Sequence, residues 1–344
     1  MHLSIGIVGL PNVGKSTLFK ILTKQEVNIA NYPFATIDPN VGVVVVPDER
    51  LEKLAELSRS KKKVPAVVEF YDIAGLVKGA SQGEGLGNQF LAHIRETQAI
   101  VIVLRVFKDS SIIHIENSVD PLRDLKTINL ELALKDLETV RKRLVKLEDE
   151  ARGGDKKAVK NLEILKQVAV ILEKGNLPTA FRKEEIIKEL GLLTVKSQLF
   201  LLNGVEADVS AGLIEEIKKL GADYLVADLA QTPSAGSGQA LSDSSQAVPE
   251  LIKKAYAILG LISFFTTGED ETRAWTIERG TLAPQASGVI HTDFEKNFIR
   301  AEVINWQKLI GTGGWTQAKQ KGLLRLEGKE YEIKDGDVIV VRHG

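Results

Sequence analysis

The stretch Gly9-Leu10-Pro11-Asn12-Val13-Gly14-Lys15-Ser16 fits the pattern G-x-x-x-x-G-K-[ST] of a phosphate-binding loop. It follows an apolar run, Leu3–Val8, that predicts a buried strand, and it opens a segment, Lys15–Thr23, that predicts a helix. A strand, a glycine-rich loop and a helix in this order direct backbone N–H groups toward bound phosphates. A chance glycine turn before a helix would need the pattern and both flanking elements to coincide, so we interpret the stretch as a phosphate-binding loop.

Individual residues of this loop have predictable roles in binding a nucleoside triphosphate. Lys15 is expected to reach the β- and γ-phosphates, where it also assists catalysis, and Ser16 is expected to place its hydroxyl on Mg²⁺. The nucleotide-binding residues predicted in this loop are Asn12, Val13, Gly14, Lys15, Ser16 and Thr17.

Further apolar, β-branched runs indicate the sheet to which this loop belongs. Near-continuous apolar strands separated by helical segments are typical of a doubly wound α/β domain with a mostly parallel sheet. The predicted strands are residues 3–8, 41–46, 66–73, 99–107 and 198–202. Helical patterns at residues 15–23 and 49–59 fall between them.

About eighty residues between the fourth and fifth strands form a connection much longer than a crossover helix requires, which indicates an insert. Apolar residues at three- and four-residue steps, from Leu130 to Leu147 and from Leu162 to Leu172, predict two antiparallel helices on either side of Gly153-Gly154. Lysines and arginines on these helices are interleaved with acidic residues. We therefore interpret them as a solvated surface, with a partner-binding tip as the alternative.

The C-terminal part of the chain has a different composition. The run QTPSAGSGQALSDSSQAVP after Asp228 predicts a flexible loop, and residues 249–259 predict a helix. From Ile262 onward, short strands punctuated by glycine predict a separate α+β domain. Its positive charges, such as Arg273, Arg279, Lys296 and Arg300, are candidate contacts to RNA phosphates or ordinary surface charges.

Composition sets limits on the class of protein. The 344 residues are 44% hydrophobic and 26% charged, with a net charge of −1, so the whole chain has no electrostatic attraction to nucleic acid or membrane. The absence of cysteine excludes disulfides and thiolate chemistry and suits a reducing compartment. No run approaches the length of a membrane span, so we expect a cytoplasmic protein without membrane contact.

Two further segments are candidate parts of a nucleotide site. Asp72-Ile73-Ala74-Gly75 ends a predicted strand, where Asp72 would hold Mg²⁺ and the Gly75 N–H would sense the γ-phosphate; a strand-ending Asx turn is the alternative. Thr36 lies in a loop between the two motifs and is a third candidate Mg²⁺ ligand. Its alternative role is that of a β-prone residue opening the next strand.

Asn203-Gly204-Val205-Glu206 follows the fifth predicted strand, where guanine-specific enzymes carry N-K-x-D. The glutamate is one methylene longer than the aspartate that binds guanine, which should weaken the selection of guanine. An asparagine amide can still pair with N6 and N7 of adenine. We therefore predict that these four residues contact the base, although a simple turn after a strand would carry the same residues.

The joint occurrence of several blocks resembles the Obg-like ATPases, the YchF subfamily of translation-factor-related P-loop proteins. These blocks are GLPNVGKST, NYPFATIDPN, DIAGLVKGASQGEGLGNQFLAHIRE, the altered N-x-x-E, RAWTIERGT, APQASGVIHTDFEKNFIRAEV and DGDVI. The resemblance covers nearly the whole chain. It implies a G-domain core at residues 1–118 and 190–261, a helical coiled-coil insert at 119–189 and a β-grasp (TGS) domain at 262–344.

The same resemblance implies roles for residues that chemistry alone does not assign. The water-orienting glutamine of Ras-like enzymes is replaced by Leu76, and the resemblance points to His93 instead, for which a helix-surface histidine is the alternative. Asn12 matches an asparagine that helps hold K⁺ in some relatives. The loop after Val226 departs from the family's base-contacting Ser-Ala.

The resemblance also implies an activity and partners. We expect a nucleotide switch that hydrolyses ATP with Mg²⁺ and associates with ribosomes through the large subunit or the assembled 70S particle, and hence with rRNA. An Obg-type GTPase is the nearest alternative. A ribosome-binding module with negligible turnover is the alternative from another class.

Overall fold

The computed structural model describes residues 4–24, 40–73, 94–95, 97–109, 112, 114, 118–231 and 243–344. The chain forms two compact units. The first comprises residues 1–24, 36–42 and 69–251, and the second comprises residues 25–35, 43–68 and 252–344. The first unit therefore contains the phosphate-binding loop and the second contains the C-terminal region.

A six-stranded sheet of the described residues carries the predicted loop and has the order β2-β4-β1-β5-β6-β7. Its strands are β1 Ser4–Val8, β2 Val41–Val45, β4 Val67–Asp72, β5 Ala99–Arg105, β6 Ser197–Asn203 and β7 Asp223–Ala227. The pairs β4–β1, β1–β5, β5–β6 and β6–β7 are parallel. All residues of β1 and β5 are buried, as expected for central strands covered on both faces. This confirms the predicted doubly wound fold.

The helices described in this unit include the one that begins at the phosphate-binding loop and the two of the insert. They are α1 Lys15–Thr23, α3 Pro121–Arg152, α4 Lys156–Glu173, α5 Glu185–Leu190, α6 Ala211–Lys219 and α7 Asp243–Ile258, whose last residues belong to the second unit. Short 3₁₀ turns lie at Thr179–Phe181, Leu193–Val195 and Glu206–Asp208. The predicted bounds of α1 match the structure at both ends.

The insert consists of the two predicted antiparallel helices. Asp120 caps α3, with its Oδ1 accepting from the Arg123 N–H at 3.1 Å, and Asp155 caps α4. Between the helices lies an apolar core formed by the residues at the predicted three- and four-residue steps, including Leu137, Val140, Leu147, Leu165, Val168 and Leu172. Basic side chains of the insert pair with acids, for example Arg141 with Glu173 at 2.8 Å, which supports the interpretation as a solvated surface.

The second unit is built on a mixed sheet of six described strands, in the order β11-β10-β12-β8-β9-β3. The strands are β3 Lys62–Val64, β8 Leu261–Thr267, β9 Glu271–Glu278, β10 Phe298–Asn305, β11 Arg325–Glu327 and β12 Asp337–His343. Its described helices are α2 Glu49–Ser58, α8 Ala283–Ile290, α9 Thr292–Lys296, α10 Trp306–Thr312 and α11 Trp315–Gln320. This arrangement is the expected C-terminal α+β domain.

The helix α2 and the strand β3 belong to this second unit, although the sequence places them in the nucleotide-binding domain. The strand β3 adds to β9 in parallel, with Val64 opposite Arg273. The helix α2 packs on the same sheet, where the guanidinium of Arg50 lies 5.1 Å from the ring centre of Phe265. These contacts span about two hundred positions of sequence, and a local pattern does not reveal them. The three-domain boundaries as a whole stay a prediction.

Among the helices that the structure describes, none combines the length and the apolar character that crossing a membrane requires.

Candidate nucleotide-binding site

The phosphate-binding loop runs from the end of β1 to the start of α1, as predicted. Gly14 caps α1 with φ 106° and provides no side-chain hydrogen bond to the first turn. A Cβ at this position would lie 2.5 Å from Nδ2 of Asn203, so both the backbone conformation and the space require glycine. The first-turn N–H groups of α1 have no intrahelical acceptor, and such groups bind anions. Ser16 and Thr17 are exposed in this turn, whereas Val13 is buried.

Lys15 is the cation at the centre of this loop. Its side chain is 8% exposed, and its ammonium donates a hydrogen bond of 2.8 Å to the carbonyl oxygen of Leu10. Burial lowers the pKa of Lys15 from 10.5 to about 8, and the negative charge of Asp72 opposes this shift. A positive charge held in a partly desolvated site binds an anion more strongly than a charge in water does.

Asp72 lies at the same edge of the sheet as the loop. Its backbone is paired with Ile7 of β1, one residue before the end of that strand. Burial raises the pKa of Asp72, and the charge of Lys15 opposes the increase, so the two side chains are within electrostatic reach. The exposed hydroxyl of Ser16 and the carboxylate of Asp72 are hard oxygen donors, the type that Mg²⁺ prefers alongside phosphates and water. This donor set fits the metal that the sequence predicts.

Asn203 connects the base-contacting segment to the phosphate-binding loop. It is 4% exposed at the end of β6, and its amide nitrogen donates to the carbonyl of Val13 at 2.9 Å. Its amide oxygen accepts from the N–H of Leu229 at 3.1 Å, beyond the end of β7. The side chain predicted to contact the base therefore also braces the main chain around the phosphates. These two bonds leave one amide hydrogen and one oxygen lone pair of Asn203 unused.

Gly204 explains why this chain departs from N-K-x-D at its second position. Its φ is 147°, and a Cβ would lie 2.7 Å from Cγ2 of Val106 and 2.8 Å from the backbone nitrogen of Phe107. The N–H groups of Val106 and Phe107 donate to the carbonyl of Asn203 at 2.9 and 3.1 Å. A lysine at this position would collide with the segment that holds Asn203 in place.

Val205 and Glu206, the last two predicted base-contacting residues, are exposed. Val205 is 47% exposed, and Glu206 opens the turn Glu206–Asp208, in which the N–H of Val209 donates to the Glu206 carbonyl at 3.1 Å. Both side chains are thus accessible to a ligand. Their contact with a base stays a prediction.

Thr36, Gly75 and His93 lie outside the described residues, and so does Leu76. The predicted Mg²⁺ contact of Thr36, the γ-phosphate contact of Gly75 and the catalytic role of His93 stay predictions. The structure brings together Lys15, Asp72 and the loop around Gly14. Asn12 adopts φ 61° in this loop and is exposed.

Arg105 is a residue of this region that the sequence interpretation missed. It is 1% exposed, and its guanidinium donates to the carbonyls of Phe107, Asp109 and Ile112 at 3.3, 2.8 and 3.0 Å. It thereby fixes the segment on which Gly204 rests. The sequence does place this charged residue within the otherwise apolar run 99–107. A buried charge needs polar partners, so its position there indicated a structural role.

Comparisons with known proteins agree with this geometry. Residues 4–142 match a family described as 50S ribosome-binding GTPase, and residues 261–344 match the C-terminal domain of YchF GTPases, described as a protein of unknown function. The Ribosome-binding ATPase YchF of Bacillus subtilis is 46% identical, over 99% of both chains. The corresponding protein of Escherichia coli O157:H7 is 43% identical, over 98% of both chains.

A solved structure extends the similarity to three dimensions. The YchF GTPase of Schizosaccharomyces pombe aligns with a TM-score of 0.84 and 40% identity, covering 99% of this chain and 98% of that one. Its fold therefore includes the C-terminal unit as well as the nucleotide-binding sheet. With full-length relatives above 40% identity and the phosphate-binding loop in its expected place, the chain belongs to the YchF family of P-loop nucleotide hydrolases.

Proposed function

We propose that this protein is a Mg²⁺-dependent ATPase that acts as a nucleotide-controlled switch and associates with ribosomes. The observation that carries the proposal is the buried ammonium of Lys15 beside the uncapped first turn of α1. The names of the bacterial relatives, ribosome-binding ATPases, support the choice of nucleotide and partner.

In this proposal, Ser16, Asp72 and Thr36 hold Mg²⁺. When held there, Mg²⁺ would supply positive charge that neutralises the charge developing on the transferred phosphoryl group. Lys15 stabilises the same charge from the side of the loop. Asn12, exposed and next to the phosphates in sequence, is the proposed contact for K⁺.

The attacking water needs a positioning group, because Leu76 cannot hydrogen-bond to it. We assign this role to His93, whose imidazole can accept a proton or orient water near neutral pH. Thr36 and the Gly75 N–H would respond to the γ-phosphate and release when it is lost, as switch segments do. The output of the switch would be a change in ribosome association, including contact with rRNA.

The proposed nucleotide site is tested by replacing Lys15. Lys15→Ala should weaken binding of ATP and Mg²⁺ by roughly 30- to 5,000-fold, which corresponds to about 2–5 kcal/mol for loss of a buried charged partner. Lys20→Ala is the matched control, because Lys20 is an exposed lysine on the same helix. Calorimetric titration measures both. Equal affinities for Lys15→Ala and the parent would refute the assignment of the loop.

A GTPase is the second candidate, because the fission yeast relative is described as a YchF GTPase. Paired titrations of ATP and GTP into the parent protein decide between the two nucleotides. Tighter GTP binding would exclude the ATPase proposal and leave the phosphate site intact. Single-turnover phosphate release, measured with and without ribosomes, tests the remaining alternative of a binding module with negligible hydrolysis.

A further inference from the structure

A cavity of about 380 Å³ lies in the C-terminal part of the second unit, and none of its lining residues is among those assigned to nucleotide. Its wall includes Asn305 at the end of β10, Lys308 in α10, Arg325 at the start of β11, and Lys334 and Asp337 before and at the start of β12. Three of these side chains are cationic and one is anionic. The size is that of sites that bind small ligands or single groups of larger ones.

The acceptor atoms of the wall are already used. Asp337 is 2% exposed, and its Oδ2 accepts from the hydroxyl of Tyr331 at 2.8 Å and from the N–H of Lys334 at 2.9 Å. The Oδ1 of Asn305 accepts from the N–H of Gln307 at 2.9 Å. The carboxylate and the amide oxygen are therefore committed to the protein's own donors.

Donors of the wall, in contrast, are available. Within the described part of the chain, neither the ammonium of Lys308 nor the amide nitrogen of Asn305 has a protein partner. Lys334 pairs with Glu332 at 2.9 Å, but both side chains are about half exposed, and surface pairs of this kind contribute little. The acceptor atoms of the wall already accept hydrogen bonds, whereas several cationic donors are available, so the cavity favours binding of an anion.

Arg325 gives the cavity a planar group as well as a charge. Its guanidinium donates to the hydroxyl of Tyr331 at 2.7 Å and lies 5.2 Å from the centre of that ring. It is 3.6 Å from a carboxylate oxygen of Glu327 and 3.5 Å from Oδ1 of Asp337. These contacts fix the orientation of the guanidinium. Arginine planes bind phosphate through paired N–H groups and stack on unpaired RNA bases.

We propose that this cavity is a phosphate-binding site and that, on the ribosome, the phosphate belongs to the RNA backbone. Lys308 and Lys334 supply the point charges, Asn305 a neutral donor and Arg325 the planar group. The assignment of the phosphate to RNA rests on the ribosome association proposed above. The assignment of the cavity as a phosphate site does not depend on it. Arg273, a candidate RNA contact from the sequence, instead lies 4.3 Å from the ring centre of Trp275.

The RNA source is tested by ribosome cosedimentation of full-length protein over a series of salt concentrations. Lys308→Ala and Lys334→Ala should each weaken binding by about three- to sixfold near 0.15 M salt and lower the salt slope by about 0.7–0.9, with effects that combine in the double variant. Lys329→Ala is the control, an exposed lysine outside the cavity wall. ATP turnover without ribosomes should be the same in the parent and in all four variants.

The phosphate chemistry is tested separately by titrating inorganic phosphate and following the backbone amide NMR signals of Gly322 and Leu323, which line the cavity. Shifts in the parent that vanish in the double variant, together with weaker ribosome binding, support both parts of the proposal. Shifts with unchanged ribosome binding keep the phosphate site and refute RNA as its source. Absence of shifts, with ribosome binding equal in variant and parent, overturns the proposal. A parent that does not bind ribosomes refutes the proposed ribosome association, and the phosphate titration still decides whether the site exists.

Discussion

Replacement of Gly204 by alanine tests whether the nucleotide site depends on close contact between two chain segments. The added Cβ would meet the Phe107 nitrogen at 2.8 Å, and backbone cannot move aside as a flexible side chain does. The displaced segment would take with it the two N–H groups that donate to the Asn203 carbonyl. Asn203 would then shift relative to Val13 and the phosphate-binding loop.

The expected loss of stability follows from two contributions. A non-glycine residue at positive φ costs about 1–2 kcal/mol, and overpacking costs about 1–3 kcal/mol. The sum, about 2–5 kcal/mol, corresponds to a fall of roughly 4–20 °C in melting temperature for a unit of this size. Gly204→Lys, which restores the second position of N-K-x-D, should lose at least as much.

Thermal melts and ATP titrations of Gly204→Ala and Gly212→Ala provide the measurement. Gly212 is the matched control, because it lies in α6 with nothing within 4 Å of its Cβ position, and alanine there should stabilise by up to about 1 kcal/mol. Gly204→Ala should melt lower and bind ATP more weakly than both the parent and the control. If it melts and binds as the parent does, the supporting role of the 106–107 segment is refuted.

Four further predictions concern charge, catalysis and base selection. Because the pKa of Lys15 is about 8, ATP affinity should fall by about tenfold per pH unit above pH 8 as the ammonium loses its proton. Calorimetric titrations over this pH range should show the fall in the parent and not in Lys15→Ala. Burial also lowers the pKa of Lys196 to about 8, so the unfolded chain binds more protons than the folded one between pH 8 and 10.5. The free energy of unfolding should therefore rise over this pH range. Denaturant melts should show a smaller rise for Lys196→Met than for the parent. His93→Ala should lower turnover with nearly unchanged ATP affinity, and equal turnover would exclude a role in positioning water. Glu206→Asp should improve GTP binding by at most one or two decades in paired titrations, and no gain would show that the length of this side chain does not set selectivity.

Local sequence patterns predicted much of this fold. The glycine-rich loop, the helix Lys15–Thr23 and the insert helices depend on short-range signals, namely turn chemistry, capping residues and apolar periodicity. Asp72 was also predictable as a site residue, because the carboxyl ends of parallel strands meet at one edge of a sheet. These features need no knowledge of distant contacts.

Other features arise from contacts between segments far apart in the chain. The helix α2 has a helical pattern that fits either unit, and only its packing on β8 and β9 assigns it to the C-terminal one. The carbonyl acceptors of Arg105 lie in an irregular segment, so its charge was visible in the sequence but its partners were not. The phosphate cavity likewise joins residues from four elements whose separate patterns carry no sign of it.

The geometry of Asn203 fixes the orientation of the amide that the sequence predicts to pair with adenine. Its bonds to Val13 and Leu229 fix which end of the amide is the nitrogen, so the side chain cannot turn over without losing both. The remaining hydrogen and lone pair match N7 and the N6 amino group of adenine, whereas guanine presents O6, a second acceptor, in place of that amino group. The bond from the amide hydrogen to N7 is available to both purines, so discrimination depends on the second bond, which only adenine completes. That bond is worth about 1–3 kcal/mol, so ATP should bind roughly 5- to 150-fold more tightly than GTP at this edge. Titration with inosine triphosphate separates the contribution of Asn203 from that of Glu206, because this nucleotide shares O6 with GTP and lacks the 2-amino group. If it binds as tightly as ATP, the amide of Asn203 does not read the base.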